Sequence, residues 1–309
     1  MLTFAFRRTL QSFPTVAAVA LVVFVLFSVI PGSIATSMSD DGRGVMDAEV
    51  VQRMRKELGL DDPVHVRFTK YVSKLAVLDL GVSFRTREPV TQLLAKRLWP
   101  TFQLVVAAMG FAIAVGVPLG FVAAMRPGGV IDAASMFTAV SGLSIPKFWF
   151  GLLLMYLFAL KLGWFPTFGY GGPWYLVLPA VTLGVSPLAL LARTTRAAVL
   201  EVINADFVRT ARSKGMSETR VVRWHVVRNV AVIVLTTLGL QFGSLMGQAV
   251  VVEKLFSWPG IGSLLVDSVF ARDIPAVQGC ILLIVLFFLV VNTLVDVACA
   301  AIDPRIKYS

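Results

Sequence analysis

The sequence predicts an all-α membrane protein with six transmembrane helices. Hydrophobic residues make up 57% of the 309-residue chain and charged residues only 15%, whereas soluble domains average about 45–50% apolar and about 25% charged residues. The mean hydropathy is +0.81, and the apolar residues are grouped in long runs. Because about 20 consecutive apolar residues span the hydrocarbon core of a bilayer, this composition excludes disordered, collagen-like and ordinary soluble proteins.

Six segments are long and apolar enough to span the bilayer. The first follows Arg7 and Arg8, and its apolar run is longer than that of a secretory signal peptide, so we expect an uncleaved anchor. The alternative is cleavage at Ser33-Ile34-Ala35, which resembles a small-x-small site. The third segment is interrupted at Pro146-Lys147. The predicted spans are 13–30, 102–125, 133–162, 174–191, 230–252 and 276–301.

Basic residues predict the orientation of these spans. Segment 193–228 carries eight Lys and Arg against three acidic residues, whereas the short loops between spans three and four and between spans five and six carry one and two basic residues. Segment 33–100 carries 11 basic and nine acidic residues, but it is too long for the charge rule to apply. Because basic loops remain in the cytoplasm, this segment and both termini are predicted to be cytoplasmic. The expected domains are therefore residues 1–32 (tail and first helix), 33–100 (extracytoplasmic segment) and 101–309 (a five-helix core). The net charge of +10 fits basic loops against anionic lipid headgroups, so no nucleic acid partner is expected.

The sequence lacks the common motifs of catalytic and metal sites. It contains no G-x-x-x-x-G-K-[ST], H-E-x-x-H, C-x-x-C or G-x-S-x-G stretch. Cys280 and Cys299 lie in one apolar segment, and on a helix they would be separated by about 28 Å, which excludes a disulfide between them. We therefore expect no catalytic residue, cofactor or metal in this chain, and a role as a conduit, receptor or scaffold.

Segment 193–228 is the most informative part of the sequence. Its pattern predicts a helix from about residue 188 to 214 that ends at Gly215, followed by a second helix that Ser217 caps and that runs to about residue 228. One stripe of the first helix would suit docking into a groove of another protein; the alternative is a solvated basic loop that only fixes topology. The stripe consists of Ala205, Val208, Ala211 and Arg212.

The same segment resembles the Glu-Ala-Ala loop of ABC importer permeases. Arg209-Thr210-Ala211 precedes Gly215 at the family spacing, with Arg and Thr in place of the first two signature residues, as in the dipeptide, oligopeptide and nickel importer family. Further segments resemble the first permease subunit of that family. They are Ile30-Pro31-Gly32, Leu58-Gly59-Leu60-Asp61-Asp62-Pro63, Asp79-Leu80-Gly81-Val82-Ser83, Gly142-Leu143-Ser144-Ile145-Pro146, Phe256-Ser257-Trp258-Pro259-Gly260-Ile261-Gly262 and Asp303-Pro304-Arg305.

This resemblance implies a fold, a function and a set of partners. The fold is that of type I importer permeases, also called MetI-like, in the bacterial inner membrane. A second homologous permease would complete the pathway for short peptides, two ATPase subunits would bind ATP and Mg, and an extracytoplasmic binding protein would deliver the substrate. The alternatives are the same role for a nickel chelate, glutathione or another small solute, or, outside the class, a channel or scaffold. The residues implied to couple the chain to the ATPases are Asp206, Arg209, Thr210, Ala211, Lys214, Gly215 and Ser217.

Three further groups of residues are candidates for function. The three glycines of the fifth span recur every four residues, which predicts close packing against another helix. Polar residues of the same span would either line the translocation pathway or form hydrogen bonds between helices. The turn after this span would, by resemblance, contact the binding protein, or else seal the helix bundle as a packed turn. The three groups are Gly239, Gly243 and Gly247; Gln241, Ser244 and Gln248; and Phe256, Trp258, Pro259 and Gly260.

Lys147 is a charged residue within a long apolar stretch. It would either face the pathway and attract a carboxylate, or extend its side chain to water where Pro146 breaks the helix near a membrane surface. We favour the second interpretation, because a charge inside the hydrocarbon core is costly.

Overall fold

The computed structural model describes residues 2–29 and 62–302, and this part of the chain is largely helical. It contains no β-strand beyond an isolated bridge between Val82 and Pro89. Two short stretches are π-helical, at Met155–Lys161 and Val222–Val226. The α-helices are α1 (Leu2–Val29), α2 (Val64–Ala76), α3 (Val90–Met125), α4 (Val130–Ser144), α5 (Lys147–Leu154), α6 (Pro173–Ile203), α7 (Asp206–Ser213), α8 (Glu218–Val221), α9 (Val227–Leu255), α10 (Ile261–Phe270) and α11 (Ile274–Ile302).

Four of the six predicted spans lie in helices that are long and apolar enough to cross a membrane. These helices are Val90–Met125, Pro173–Ile203, Glu218–Leu255 and Ile274–Val295. The apolar part of α1 that is described is shorter, at Phe13–Phe27, and the third span is divided between α4 and α5. The first and third spans, and with them the count of six and the position of the termini, therefore remain predictions.

The break in the third span occurs at the predicted place. Ile145 and Pro146 both have extended backbones, with ψ of 127° and 129°. A proline disfavours helical geometry in the residue before it and cannot donate a hydrogen bond within a helix. The prediction of an interruption at Pro146-Lys147 is therefore confirmed.

The helix that contains the second span begins before that span, and the domain boundary at residue 100 stays a prediction. Helix α3 starts at Val90, directly after Pro89, and Val90 and Leu94 are buried in the core. The last residues of the predicted external segment are thus helical and continuous with the helix of the second span. The rest of that segment before residue 62, the motifs at 30–32 and 303–305, and the first residues of the motif at 58–63 lie outside the described residues.

Helices α3 and α6 form the centre of the bundle, and small residues let them approach closely. A Cβ atom added to Gly116 would lie 2.7 Å from the carbonyl oxygen of Leu188, and one added to Gly184 would lie 2.6 Å from that of Ala108. Any larger residue at these positions would force the helices apart. These contacts also show that the two helices run parallel. Helix α9 packs against both of them, and α11 packs against α3 and α9.

The bundle has two ends, which we name by their loops. The basic end comprises the turn 126–129 and the segment 204–226, where a cluster of small apolar residues joins α6, α7 and α9. The opposite end comprises residues 79–89, 162–172 and 256–273, which close over a second and larger apolar cluster.

Candidate functional site

The segment 204–226 at the basic end, which we call the coupling segment, contains one separate short helix, α7, and the start of the helix that runs from Glu218 through the π-helical turn into α9. Helix α6 ends at Ile203, where the Asn204 side-chain amide donates to the carbonyl of Leu200 at 2.8 Å. Ala205 is extended, with a ψ of 150°, and α7 begins at Asp206. The prediction of one continuous helix from 188 to 214 is therefore wrong, because Asn204 and Ala205 break it and Asp206 favours a new helix start through its charge.

The end of α7 follows the prediction at Gly215. Gly215 has a φ of +79°, a conformation that side chains other than glycine rarely adopt. The Gly215 amide donates to the Arg212 carbonyl at 2.9 Å, and the Met216 amide donates to the Ala211 carbonyl at 3.3 Å. Ser217 occupies the capping position of α8, but its side chain makes no capping hydrogen bond.

The face that α7 presents to solvent differs from the predicted one. Val208 is 0% exposed and Ala211 is 6% exposed, and both pack into the apolar cluster at the basic end. Val208 and Ala211 therefore hold α7 onto its own chain, in a cluster that also contains Val221 and Val226. Of the other two residues of the predicted stripe, Ala205 is half-buried and Arg212 is exposed. The predicted coupling residues that lie on the exposed face are Asp206, Arg209, Thr210 and Lys214.

Two side-chain contacts fix α7 relative to the next helix. The Arg212 guanidinium donates to both carboxylate oxygens of Glu218, at 3.0 and 2.5 Å, across the turn at Gly215. The Phe207 ring lies 6.4 Å from the His225 ring, measured between centroids. Side-chain contacts within the coupling segment thus stabilise it, in addition to the buried contacts of Val208 and Ala211.

A buried ion pair that the sequence did not reveal lies close to this segment. Asp132, which is 5% exposed, begins α4 and forms a bidentate pair with Arg196 of α6. The Gly128 amide donates to the same carboxylate at 2.9 Å. The Arg196 hydrogen bond, followed by that of Gly128, lowers the pKa of Asp132 below its usual value. The pair ties the turn between α3 and α4 to the last part of α6.

The polar residues of α9 form one connected row with Lys147. The Gln248 amide donates to Ser244 Oγ at 3.2 Å, and Ser244 Oγ donates to the Gln241 carbonyl at 2.9 Å. The Lys147 ammonium donates to Gln248 Oε1. Lys147 therefore contacts another helix, and the interpretation that it also extends to water at a membrane surface stays a prediction.

The glycines of α9 differ in their surroundings. A Cβ atom added to Gly239 would collide with the Val295 side chain, and one added to Gly243 would lie 2.7 Å from the Phe288 ring, both on α11. One added to Gly247 would meet no atom within 4 Å. The close helix contact that the spacing predicts is present at Gly239 and Gly243 and absent at Gly247.

The turn after α9 at the opposite end is tightly packed. Phe256 and Trp258 are each 2% exposed, and the Trp258 indole donates to the Pro100 carbonyl at 2.8 Å. Gly260 leaves no room for a side chain because the Glu253 carboxylate lies against it. This burial argues against direct contact of Phe256 and Trp258 with a binding protein, and it matches the alternative of a turn that seals the bundle. Contact through the more exposed Pro259 stays a prediction.

Two buried carboxylates organise the opposite end, and neither was predicted from the sequence. Glu253 accepts a hydrogen bond from Thr101 Oγ1 at 2.6 Å and another from the Ser263 amide at 2.9 Å. Asp273, which is 2% exposed, accepts from Ser83 Oγ and from the Phe84 amide. An acidic residue inside an apolar stretch was the available signal, but its partner is 152 residues away for Glu253 and 190 for Asp273.

Comparison with known proteins identifies the family. Residues 116–308 match the family described as binding-protein-dependent transport system inner membrane component, and residues 1–105 match the N-terminal family of the same components. The chain belongs to this family. It is a permease subunit of an ABC importer and resides in the inner membrane.

Curated relatives match the permease over its full length. It is 43% identical over 308 residues to the glutathione transport system permease protein GsiC of Escherichia coli O6:H1, and 44% identical to that of Pectobacterium atrosepticum, with 100% of each chain covered. These proteins place it in the dipeptide and oligopeptide importer group. Permeases of this kind carry no ATPase site of their own, because ATP is hydrolysed by separate subunits.

Solved structures match the fold of the permease. A chain of the MetNI methionine ABC transporter, in an inward-facing conformation, aligns with a TM-score of 0.58 at 17% identity and covers 69% of this chain and 97% of that one. A chain of an amino acid ABC transporter aligns with a TM-score of 0.53 at 17% identity, over 70% of this chain and 95% of that one. The MetI-like fold is thus shown.

Proposed function

We propose that this permease, together with a second homologous subunit, forms the membrane pathway of an importer for small peptides, with glutathione as the first substrate to test. The observation that carries the proposal is the identity of 42–44% over the full chain to permeases named for glutathione transport. Glutathione is itself a tripeptide, so it falls within the short-peptide class that the sequence motifs imply.

The coupling segment supplies the connection to ATP hydrolysis in this proposal. The exposed face of α7, with Asp206 and Arg209 at its centre, contacts one ATPase subunit. The buried face, with Val208 and Ala211, passes the motion of that subunit to α6 and α9. Nucleotide that binds more tightly to one arrangement of the complex than to the other then shifts the pathway between its two orientations. ATP and Mg²⁺ are held by the partner subunits, and no cofactor is held by this chain.

The experiment that tests the proposal is uptake by the reconstituted complex. The permease, its second permease subunit and the two ATPases are placed in liposomes, and the binding protein is added outside. We expect ATP-dependent uptake of glutathione or a dipeptide, and none when the ATPase carries a defective nucleotide site. If a nickel chelate is taken up and neither peptide is, the peptide substrate is wrong and the importer proposal stands.

A further inference from the structure

Lys147 places a positive charge in the interior of the third predicted span. The 15 residues of α4 separate it from the basic end by about 22 Å at 1.5 Å per residue. From Lys147 the helix continues for a further 15 residues, through α5 and the π-helical turn, to Lys161 at the opposite end. An ammonium group at this depth is unfavourable against lipid and is found facing protein or a water-filled cavity.

The partner of Lys147 is a neutral side chain. Its ammonium donates to Gln248 Oε1, and among the described residues no carboxylate lies within ion-pair distance of it. A lysine ammonium has three donors, of which Gln248 takes one. The Gln248 amide has two donors, of which Ser244 takes one. Three hydrogen-bond donors therefore remain at one place, together with a full positive charge.

The surface beside these donors is open. Lys147, Ser244 and Gln248 are each partly exposed, and Gly247, next to Gln248, is exposed. A Cβ atom added to Gly247 would meet nothing within 4 Å, in contrast to Gly239 and Gly243, which α11 covers. This side of α9 therefore faces away from the core of the chain and leaves space for a bound molecule.

We propose that Lys147 and Gln248 form an anion-binding subsite on the translocation pathway, which holds a carboxylate of the passing solute. The inference rests on the proposed function, since peptides and glutathione carry carboxylates at neutral pH. The ammonium supplies charge and two donors, and the Gln248 amide supplies the third. Ser244 positions that amide by accepting one of its hydrogens. A single cation among neutral groups binds a carboxylate weakly enough to release it.

The test uses a cysteine at the open position and two thiol reagents of opposite charge. In the reconstituted complex, Gly247→Cys is combined with Cys280→Ala and Cys299→Ala, so that one thiol remains in this chain. The rates of reaction with a sulfonate-bearing and a trimethylammonium-bearing methanethiosulfonate are measured. We expect Lys147→Met and Lys147→Gln to lower the ratio of the anionic to the cationic rate by about five-fold, because they remove a charge close to the thiol. Lys147→Arg should keep the ratio.

The control variant and a competitor separate this site from a general effect of charge. Lys161→Met removes an exposed lysine at the far end of the same span and should leave the ratio unchanged. Alanyl-alanine should slow the anionic reagent in the Lys147 protein more than its C-terminal amide does. The proposal of a subsite is wrong if the thiol at position 247 reacts with neither reagent. It is also wrong if the substitutions of Lys147 leave the ratio of the two rates unchanged.

The outcomes distinguish this subsite from the proposed function. If the complex imports peptide but the ratio does not depend on Lys147, the subsite is wrong and the importer proposal stands. If the ratio depends on Lys147 but no peptide is imported, the anion site stands and the substrate belongs to another class of anion.

Discussion

At the scale of single residues, Glu253 is a buried carboxylate that joins α9 to α3 and α10. It is 0% exposed and accepts hydrogen bonds from Thr101 and from the amide of Ser263. Glu253→Ala would leave both donors without a partner in the interior, at a cost of about 1–3 kcal/mol. We expect the variant to lower the midpoint of thermal unfolding of the detergent-purified complex by several degrees.

The control for this prediction is a glutamate on the surface. Glu88 forms an exposed pair with Lys96 at 2.9 Å, and such pairs contribute about 0–1 kcal/mol. Glu88→Ala should therefore unfold at nearly the wild-type temperature. Equal midpoints for the two variants would show that the Glu253 contacts do not stabilise the turn.

Asp132 predicts a dependence of stability on pH. Arg196 and the Gly128 amide lower its pKa in the folded protein, below the value of about 3.9 for an unperturbed Asp. The contribution of the Asp132 carboxylate to folding stability is therefore complete at pH values above its pKa in the unfolded chain. It is lost as the pH falls through the lower pKa of the folded protein. We expect Asp132→Asn to unfold at a lower temperature than the wild type at pH 7, and the difference to shrink at pH values below about 4.

A second aspartate provides the comparison. Asp62 pairs with Lys70 at 2.6 Å on the surface, with side chains that are 35% and 61% exposed. Asp62→Asn should change the unfolding temperature little at pH 7, because an exposed pair contributes about 0–1 kcal/mol. A wild-type advantage over Asp132→Asn that persists undiminished at pH 3 would contradict the assignment of a lowered pKa to Asp132.

At the scale of helices, α9 tests whether glycine spacing alone predicts packing. Gly239→Ala would place a methyl group against Val295 of α11, and overpacking of this kind costs about 1–3 kcal/mol. Gly247→Ala meets no atom and should gain up to about 1 kcal/mol from helix propensity. We expect opposite shifts in the unfolding temperature of the purified complex. A loss of stability for Gly247→Ala would show that another subunit covers this position.

Local signals in the sequence predict helix ends well, because a helix end depends on nearby residues. Pro146 breaks the third span and Gly215 ends α7, and both follow from backbone geometry at a single residue. Local signals did not predict what the apolar face of α7 packs against. Val208 and Ala211 are three residues apart, and that spacing is the same whether the face meets a partner or the protein's own α9.

Contacts between distant parts of the chain were beyond prediction from one sequence. Asp132 and Arg196 are 64 residues apart, and Lys147 and Gln248 are 101 residues apart. A charge in an apolar stretch indicates that a partner exists, but not which helix supplies it. For Lys147 the sequence did not indicate the contact with Gln248 of α9.

At the scale of the whole molecule, the proposed function requires the coupling segment to do two separate things. We propose that the exposed face contacts an ATPase subunit, whereas the buried face connects α7 to the spans through the cluster with Val221, Val226 and Val230. Association with the ATPase subunit and transfer of its movement to the spans should therefore respond to different substitutions. The side chains of Arg209 and Asp206 are 70% and 97% exposed, so replacing Arg209 alters the surface and leaves the cluster intact.

We expect Arg209→Glu to weaken association of the permease with the ATPases, measured by co-purification, because it reverses a charge at the contact. Val208→Ala should leave co-purification unchanged, since Val208 is 0% exposed. It opens a cavity under α7, so movement of the ATPase reaches α6 and α9 less efficiently. Substrate uptake per ATP hydrolysed should then fall by about a factor of two or more. Loss of co-purification in Val208→Ala, with none in Arg209→Glu, would mean that the faces have the reverse roles.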